Sequence, residues 1–404
     1  MKGKRIFIGL LAFILLFSGC ASAETKSVLR LWDFTSNDVN RAFWLEHPEL
    51  GYTNIAYNPF DDLLRQIEQT QPDALLLSLW NDDLNRFVDA GLTADLSSSP
   101  AIAQAVSRMA PWIQALVTTD GGQILALPTG ASVAPFYLYQ DAWDAAGLTE
   151  EDVPQSYTEL LDFLDKWARN PAKGVCASHL LRWHTGKEQY DYMYWLTELL
   201  LLSHEMQQRY AGEAVRFETP EFIELARRTR ETGEALYQAE PRQSKRGSML
   251  QLFQSDISGG EHANKGRPYG MSHTVPLRIT RDQPKLAWLR VKVAFIRQGS
   301  PLFQEALLLL EQLLQTRHWQ HDHILYMDFT PGDYPYEGGR TGHVDEGWLA
   351  DYRGYDGAFV AYPLSFNESR DGEALSGKEK LMMRFFAGQI TAEDFAQKLD
   401  ELLL

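Results

Sequence analysis

Cysteine is scarce in this chain, which contains only Cys20 and Cys176 among its 404 residues. The position of Cys20, described below, predicts that it is modified, and in that case no disulfide can form. A protein of this length can build a core large enough to be stable without one. A lone Cys176 could act as a nucleophile, but such a residue is more often a small buried hydrophobic side chain, and we predict that role.

Positive charge is also in short supply. The chain has 38 Lys and Arg against 54 Asp and Glu, a formal net charge of -16. Three of the positive charges lie within the first five residues, so the rest of the chain carries a net charge of about -19. So acidic a chain excludes binding of nucleic acid or of an anionic lipid surface through a general electrostatic field. We therefore expect no nucleic-acid partner.

The motifs of common catalytic and cofactor sites are missing. The sequence has no Gly-x-Ser-x-Gly elbow, no His-Glu-x-x-His pair, no phosphate-binding glycine loop and no dinucleotide fingerprint. His318, His321 and His323 form a cluster without an evident fourth ligand, and we predict no metal site there. The sequence thus favours a protein that is not an enzyme and has no cofactor.

Long hydrophobic runs are limited to one, Ile6–Phe17. It follows three basic residues and precedes two small residues and Cys20, an order typical of a secretory signal. It resembles the lipobox of bacterial lipoproteins, which implies a signal peptide over 1–19, a diacylated Cys20 and a tether over 20–26. Alternatively, Ala21–Ala23 offers ordinary signal peptidase a cut that leaves Glu24 first. A retained anchor is disfavoured, because the run falls short of the roughly 20 residues of a spanning helix.

The N-terminal part of the chain alternates between predicted strands and helices. Apolar residues at helical spacing, such as Leu63, Leu64 and Ile67, predict helices. The continuous run ALLLSLW is typical of a strand buried on both faces of a parallel sheet. The alternation predicts a doubly wound α/β lobe, with strands at 27–32, 53–57 and 74–80 and helices at 38–46, 61–70 and 82–90.

Caps and breakers mark the elements farther along. Pro128–Gly130 is expected to break the strand-like segment around it into two strands. Ser156 and Glu159 form a capping box at the start of a helix, and Thr219 and Thr391 cap two others. The remaining predictions are helices at 190–205, 220–238 and 302–315 and a strand at 286–296.

Several strings, in order and spread over most of the chain, resemble one protein family. They are LRLWDF with FWLEHPEL, QPDALLLSLWNDDLNRFVDAGLTADLS, GGQILALPTG, FYLYQDAWDAAGL with VPQSYTELLDFLDKW, and FFAGQITAEDFAQKLDELL. Together they resemble the extracellular solute-binding proteins of ABC importers, in particular the sugar-binding group known as family 1. The stretch from His318 to Ser376 matches no part of the family pattern.

The resemblance implies an α/β, two-lobed fold of the periplasmic-binding-protein type (type II), with the ligand in a cleft between the lobes. It implies a first lobe built from 27–128 and 271–316, and a second lobe built from 129–270 and 317–404 with the C-terminal helices. The implied function is that of a lipoprotein at the outer face of the cell membrane. It would capture a mono- or oligosaccharide by lobe closure and deliver it to a membrane permease.

Other functions share this fold. A peptide or a polyamine could replace the sugar as ligand. Thiaminase-type enzymes also resemble the chain, but they carry a cysteine just after the proline of the crossing strand. Here the corresponding string PTGASVAPFY has none, and Cys176 lies far down the chain, which argues against an enzyme.

Candidate ligand-binding residues of the first lobe lie where apolar strands end, since open α/β sheets bind ligands beyond the carboxyl ends of their strands. An indole stacks on the C–H face of a sugar, and carboxylates and amides bind its hydroxyls. The alternative for the tryptophans is a core position, and for the polar residues a helix cap. The candidates are Trp32, Asp33, Trp80, Asn81, Asp82, Thr129 and Gly130.

Candidates of the second lobe are less specific, because aromatic residues are plentiful in this chain and each is more often structural than ligand-binding. They are Trp183, His184, Tyr269, Trp348, Tyr355 and Asp356.

Overall fold

The computed structural model describes residues 27–32, 41–55, 63–79, 83–133, 136–178, 187–240, 249–255, 271–274, 278–315, 325–335, 341–344, 346–359 and 377–403. The strands are β1 Ser27–Trp32, β2 Leu50–Ile55, β3 Ala74–Leu79, β4 Leu127–Val133, β5 Phe136–Tyr139, β6 Val175–Ser178, β7 Leu250–Ser255, β8 Met271–Thr274, β9 Leu286–Ile296, β10 Gly332–Pro335, β11 Thr341–Val344 and β12 Gly357–Phe359. The helices are α1 Arg41–Glu46, α2 Leu63–Thr70, α3 Asp83–Asp89, α4 Pro100–Ser107, α5 Pro111–Val117, α6 Gln140–Ala145, α7 Tyr157–Arg169, α8 Asp191–Tyr210, α9 Pro220–Ala239, α10 Phe303–Gln315, α11 Glu346–Arg353, α12 Gly377–Phe386 and α13 Ala392–Leu403.

The first sheet has six strands in the order β12-β9-β3-β1-β2, with β4 also paired to β9. β1 is parallel to β2 and to β3, as the alternation of strands and helices predicts. β9 is antiparallel to both β3 and β4. The apolar side chains of this sheet and of the helices around it form one buried cluster, here called the first core, drawn from residues 29–131 and 287–326.

The second sheet has four strands in the order β6-β7-β5-β8. A separate buried cluster, the second core, covers it and is drawn from residues 138–288 and 381–399. Helix α8 lies at its centre, and residues 191–207 are buried except for Tyr194. Two cores on two sheets make the protein two-lobed, and the predicted α/β fold class is confirmed.

The lobe boundaries differ from the predicted ones in three places. β4 runs to Val133 in the first sheet, whereas residues from 129 onward were assigned to the second lobe. β8 pairs with β5 in the second sheet, whereas residues 271–316 were all assigned to the first lobe. Leu325 and Tyr326 belong to the first core, whereas 317–404 were assigned to the second lobe. Local sequence patterns do not encode these assignments, because each depends on which distant strand or helix a segment packs against.

The predicted helix caps are present. Ser156 Oγ accepts from the Glu159 N–H at 3.3 Å, and Thr219 Oγ1 accepts from the Phe222 N–H at 3.2 Å. Glu159 departs from the usual capping box, since its carboxylate accepts from the N–H of Gln155. Strand β2 begins at Leu50, three residues before its predicted start at Thr53.

The prediction of a break at Pro128–Gly130 was wrong. Pro128 pairs with Val293 and Gly130 with Lys292 within the continuous strand β4, and a bulge sets Thr129 between them. The Thr129 hydroxyl donates to the Lys292 carbonyl at 3.2 Å. A bulge tolerates proline inside a sheet, because it relieves the ladder of one N–H donor. β4 continues to Val133.

Close packing of α8 on α9 depends on Gly233. A Cβ at this position would lie 2.8 Å from both the backbone N and the Cγ of Met193 on α8. Gly233→Ala should therefore lower the free energy of unfolding by about 1–3 kcal/mol, even though alanine favours a helix interior. Urea denaturation followed by circular dichroism measures this loss. The control Glu234→Ala, at an exposed position of the same helix, should change stability by less than about 0.5 kcal/mol. A Gly233→Ala protein as stable as wild type would contradict the packing argument.

Candidate ligand-binding cleft

The carboxyl edge of the first sheet gathers the ends of four strands. Trp32 at the end of β1 lies beside Ile55 at the end of β2. β3 runs in the same direction and continues past Trp32, which lies beside Leu75. β3 and β4 are both antiparallel to β9, and so all four strands point toward this edge. Loops leaving such an edge are where open α/β sheets bind ligands.

The second sheet presents the corresponding edge to the first. β6 is parallel to β7, and Ser255 at the end of β7 pairs with Phe136 at the start of β5. Positions 134–135 alone separate Phe136 from Val133, the last residue of β4. The carboxyl ends of β4, β6 and β7 therefore meet at this connection, and the cleft between the two edges is the candidate site.

Strand β9 forms the second connection between the lobes. Leu286 and Trp288 near its start are buried in the second core, whereas Val291 and Val293 are buried in the first. β12 lies parallel to the start of β9, with Gly357 beside Leu286. Ala287 already belongs to the first core, so both cores bury side chains at the start of β9, and the buried side chains from Val291 onward belong to the first core.

The segment that enters β9 is fixed to the second lobe through α7. The Tyr157 N–H donates to the Arg278 carbonyl at 2.7 Å. Arg281 donates from both Nε and a terminal nitrogen to Glu159, at 2.6 and 2.8 Å. These hydrogen bonds to its ionised form lower the pKa of Glu159. Residues 278–281 therefore belong to the second lobe, and the change of lobe occurs within β9.

The first-lobe candidates fall into two groups. Trp32 is 1% exposed and packs in the first core, which fits its alternative role as a core residue. Thr129 is half-buried and Gly130 buried, both within β4 near the edge. The other candidates, Asp33, Trp80, Asn81 and Asp82, lie outside the described residues, although the chain places them directly after β1 and β3.

Among the second-lobe candidates, Tyr355 and Asp356 are structural neighbours of β9. The Asp356 carboxylate accepts from the Lys285 N–H at 2.8 Å, and the Asp356 N–H donates to the Lys285 carbonyl. Tyr355 packs against the first core, so its assignment to the second lobe was wrong. Trp348 lies on α11, with its side chain outside the description, and Trp183, His184 and Tyr269 lie outside the described residues.

Two buried residues of the second lobe carry a thiol and a carboxyl group, Cys176 and Glu240. Cys176 on β6 is fully buried, as predicted for a small hydrophobic side chain. Glu240, 6% exposed at the end of α9, accepts hydrogen bonds from three other elements and was missed by the sequence analysis. Its partners are 48 to 73 residues away in the chain, and no local pattern indicates them. Within the described ranges, no cluster of three or more His, Cys, Asp or Glu side chains is placed to hold a metal ion.

A comparison with known families finds one match, over the middle of the chain. Residues 56–241 match the family described as bacterial extracellular solute-binding protein. This match includes β3, β4, β5 and β6 and the connection between the lobes. The match covers 186 of the 404 residues. Among curated protein sequences, nothing matches this chain.

Solved structures share the fold over nearly the whole chain. A family 1 extracellular solute-binding protein from Bifidobacterium longum subsp. infantis is 13% identical, with a TM-score of 0.55, over 94% of this chain and 99% of that one. A sugar transporter from Bacillus licheniformis in complex with stachyose is 13% identical, with a TM-score of 0.55, over 93% and 98% of the two chains. RafE from Streptococcus pneumoniae is 12% identical, with a TM-score of 0.56, over 94% and 97%.

The matched family and the similar solved structures are those of binding proteins. In the part of the chain that the structure describes, no helix is long and apolar enough to cross a bilayer.

Proposed function

We propose that this protein is an extracellular solute-binding protein that captures a mono- or oligosaccharide in the cleft between its two lobes. One observation carries the proposal: strand ends of both sheets meet at the connection 134–135, and the chain places Asp33 directly after β1 and Trp80 and Asn81 directly after β3, two strands that point to the same edge of the first sheet as β4. Similar folds bind raffinose, stachyose and tagatose. An indole, an amide and a carboxylate are the groups that a sugar face and its hydroxyls need.

Binding closes the two lobes on the ligand. The lobes are joined at 134–135 and along β9, and a few residues at such crossings can absorb the rotation of a whole lobe.

The closed form then docks on the permease of an ABC importer, and a lipid on Cys20 holds the protein at the outer face of the membrane. Mass spectrometry of the mature N-terminus tests this anchor, and an unmodified chain that starts at Glu24 would exclude it.

A thermal-shift screen tests the ligand class. The mature protein is heated with raffinose, stachyose, D-tagatose, a tripeptide or spermidine. A true ligand at 100 times its dissociation constant should stabilise the fold by about 2.7 kcal/mol. Stabilisation by the peptide or by spermidine, with none by any sugar, would replace the saccharide with one of those solutes.

The indole of Trp80 is expected to stack on the sugar. Trp80→Ala should therefore weaken binding of the sugar found in the screen by roughly tenfold or more, measured by isothermal titration calorimetry. The control Trp112→Ala makes the same change on α5, where the ring packs against the first core, and should leave affinity unchanged. If Trp80→Ala keeps the wild-type dissociation constant and loses stability, Trp80 is a core residue.

A further inference from the structure

A buried carboxylate in the second lobe connects four elements, one of which is the strand β6 that ends at the cleft. Glu240 follows the last residue of α9 and is only 6% exposed. Its Oε1 accepts from Trp167 Nε1 on α7 at 2.8 Å and from the backbone N–H of Ala177 on β6 at 2.7 Å. Its Oε2 accepts from the hydroxyl of Tyr192 on α8. One side chain thus joins the ends of α7 and α9, the start of α8 and strand β6.

The contact with Ala177 provides an acceptor for a backbone N–H of an edge strand. Among the strands that the structure describes, β6 is the outermost of the second sheet, and its ladder to β7 pairs Cys176 with Gln251 and Ser178 with Phe253. Alternate N–H groups of such a strand point away from the sheet and need another partner. Glu240 supplies that partner for Ala177, while the Tyr192 hydroxyl lies 3.4 Å from the carbonyl of Ser178.

Stability alone does not call for a carboxylate in this position. Burying a charge in an apolar cluster is costly, and replacing buried ionic groups by well-packed apolar ones is often neutral or stabilising. A carboxylate offers what an apolar side chain lacks, since its two oxygens accept several hydrogen bonds at once and fix the directions of their donors. Those directions locate the last two residues of β6, whose carboxyl end lies at the cleft.

We infer that Glu240 is a positioning residue for ligand binding. It holds Ala177 and Ser178, and thereby the second-lobe edge of the cleft, in the geometry that meets the ligand. This inference rests on the proposed function, and Glu240 itself does not contact the ligand.

The test compares Glu240→Leu, which keeps the volume and removes the acceptors, with Glu240→Gln, which keeps an acceptor oxygen. The ligand is the sugar found in the thermal-shift screen, and titrations are run where circular dichroism shows each variant folded. The leucine variant should bind roughly tenfold or more weakly, and the glutamine variant within roughly threefold of wild type. Trp167→Phe is the matched control: it removes a donor to Glu240 that lies outside β6, and should lower the melting temperature without changing affinity. Wild-type affinity in a folded leucine variant would overturn the inference.

A second measurement needs no ligand. Hydrogen exchange in the wild-type protein reports on the amides of β6 directly. If Glu240 holds the Ala177 amide as the geometry shows, this amide should exchange about as slowly as the amides of β7. Exchange at Ala177 roughly 100-fold or more faster than in β7 would overturn the inference even if the leucine variant does not fold. If wild type binds no compound in the screen while exchange at Ala177 is as slow as expected, the proposed function fails and the positioning of β6 by this network stands.

Discussion

Replacing Trp288 by alanine should lower the free energy of unfolding by about 3–5 kcal/mol, the cost of deleting a fully buried large aromatic side chain. Trp288 is 1% exposed and belongs to the second core, although β9 is the long strand of the first sheet. Val291, three residues later, is buried in the first core. The indole therefore fixes the crossing strand to the second lobe, and its loss leaves a cavity where the two lobes are joined.

Urea denaturation at constant temperature measures the loss, with far-UV circular dichroism as the probe. Val28→Ala is the control, because Val28 lies on another strand of the same sheet and is 47% exposed. It should cost less than about 1 kcal/mol. Trp288→Phe, which retains most of the buried ring, should lose less than Trp288→Ala. A loss below about 1 kcal/mol in the alanine variant would show that the second core closes over the missing ring.

The sequence predicts elements that one continuous pattern specifies. The apolar run over 286–296 is strand β9 with the predicted bounds, and Thr219 caps α9 as its chemistry requires. The two-lobed fold follows from such elements in their order. What the pattern near Pro128 cannot reveal is a partner strand about 160 residues away, whose bulged pairing keeps β4 continuous. Pro128 and Gly130 predict a break only when their immediate neighbours are considered. The pairing of β4 with β9 outweighs that local preference.

The site is harder to predict than the fold, because the same residue type occurs both in ligand sites and in cores. A tryptophan at a strand end fits a ligand stack or a core equally well, and Trp32 proves to be buried. Asp356 is acidic beside an aromatic residue, as expected for a sugar contact, yet its carboxylate holds the backbone of Lys285. Glu240 carries no local signal at all, since its role depends on the meeting of four elements.

Stability should fall with rising pH because of one carboxyl group on α8. The side chain of Glu205 is fully buried, and burial raises its pKa from the ordinary 4.5 to about 7. Arg209, one turn later, contacts Oε1 at 2.8 Å, and Lys378 on α12 adds a weaker attraction, but these charges offset only part of the desolvation. The folded protein therefore favours the protonated acid.

The direction follows from proton linkage. Below pH 4.5 both the folded and the unfolded chain keep the Glu205 proton, and the contribution to stability is fully present. As pH rises to about 7, the unfolded chain releases this proton before the folded one does, and the free energy of unfolding falls by about 3 kcal/mol. The contribution of the neighbouring His204 to the free energy of unfolding changes with pH in the opposite direction, because burial lowers its pKa and the folded state favours the neutral ring.

Glu205→Gln isolates the effect, because the variant keeps His204 and the size of the side chain. The difference in unfolding free energy between variant and wild type should be near zero at roughly pH 4 and should reach about 3 kcal/mol in favour of the variant at roughly pH 8. Urea denaturation across this range gives the difference curve. Glu234→Gln, an exposed site on α9, should give a flat curve near zero. A flat curve for Glu205→Gln as well would mean that Arg209 and Lys378 stabilise the ionised carboxylate as fully as water does, and that α8 carries its buried charge at no cost.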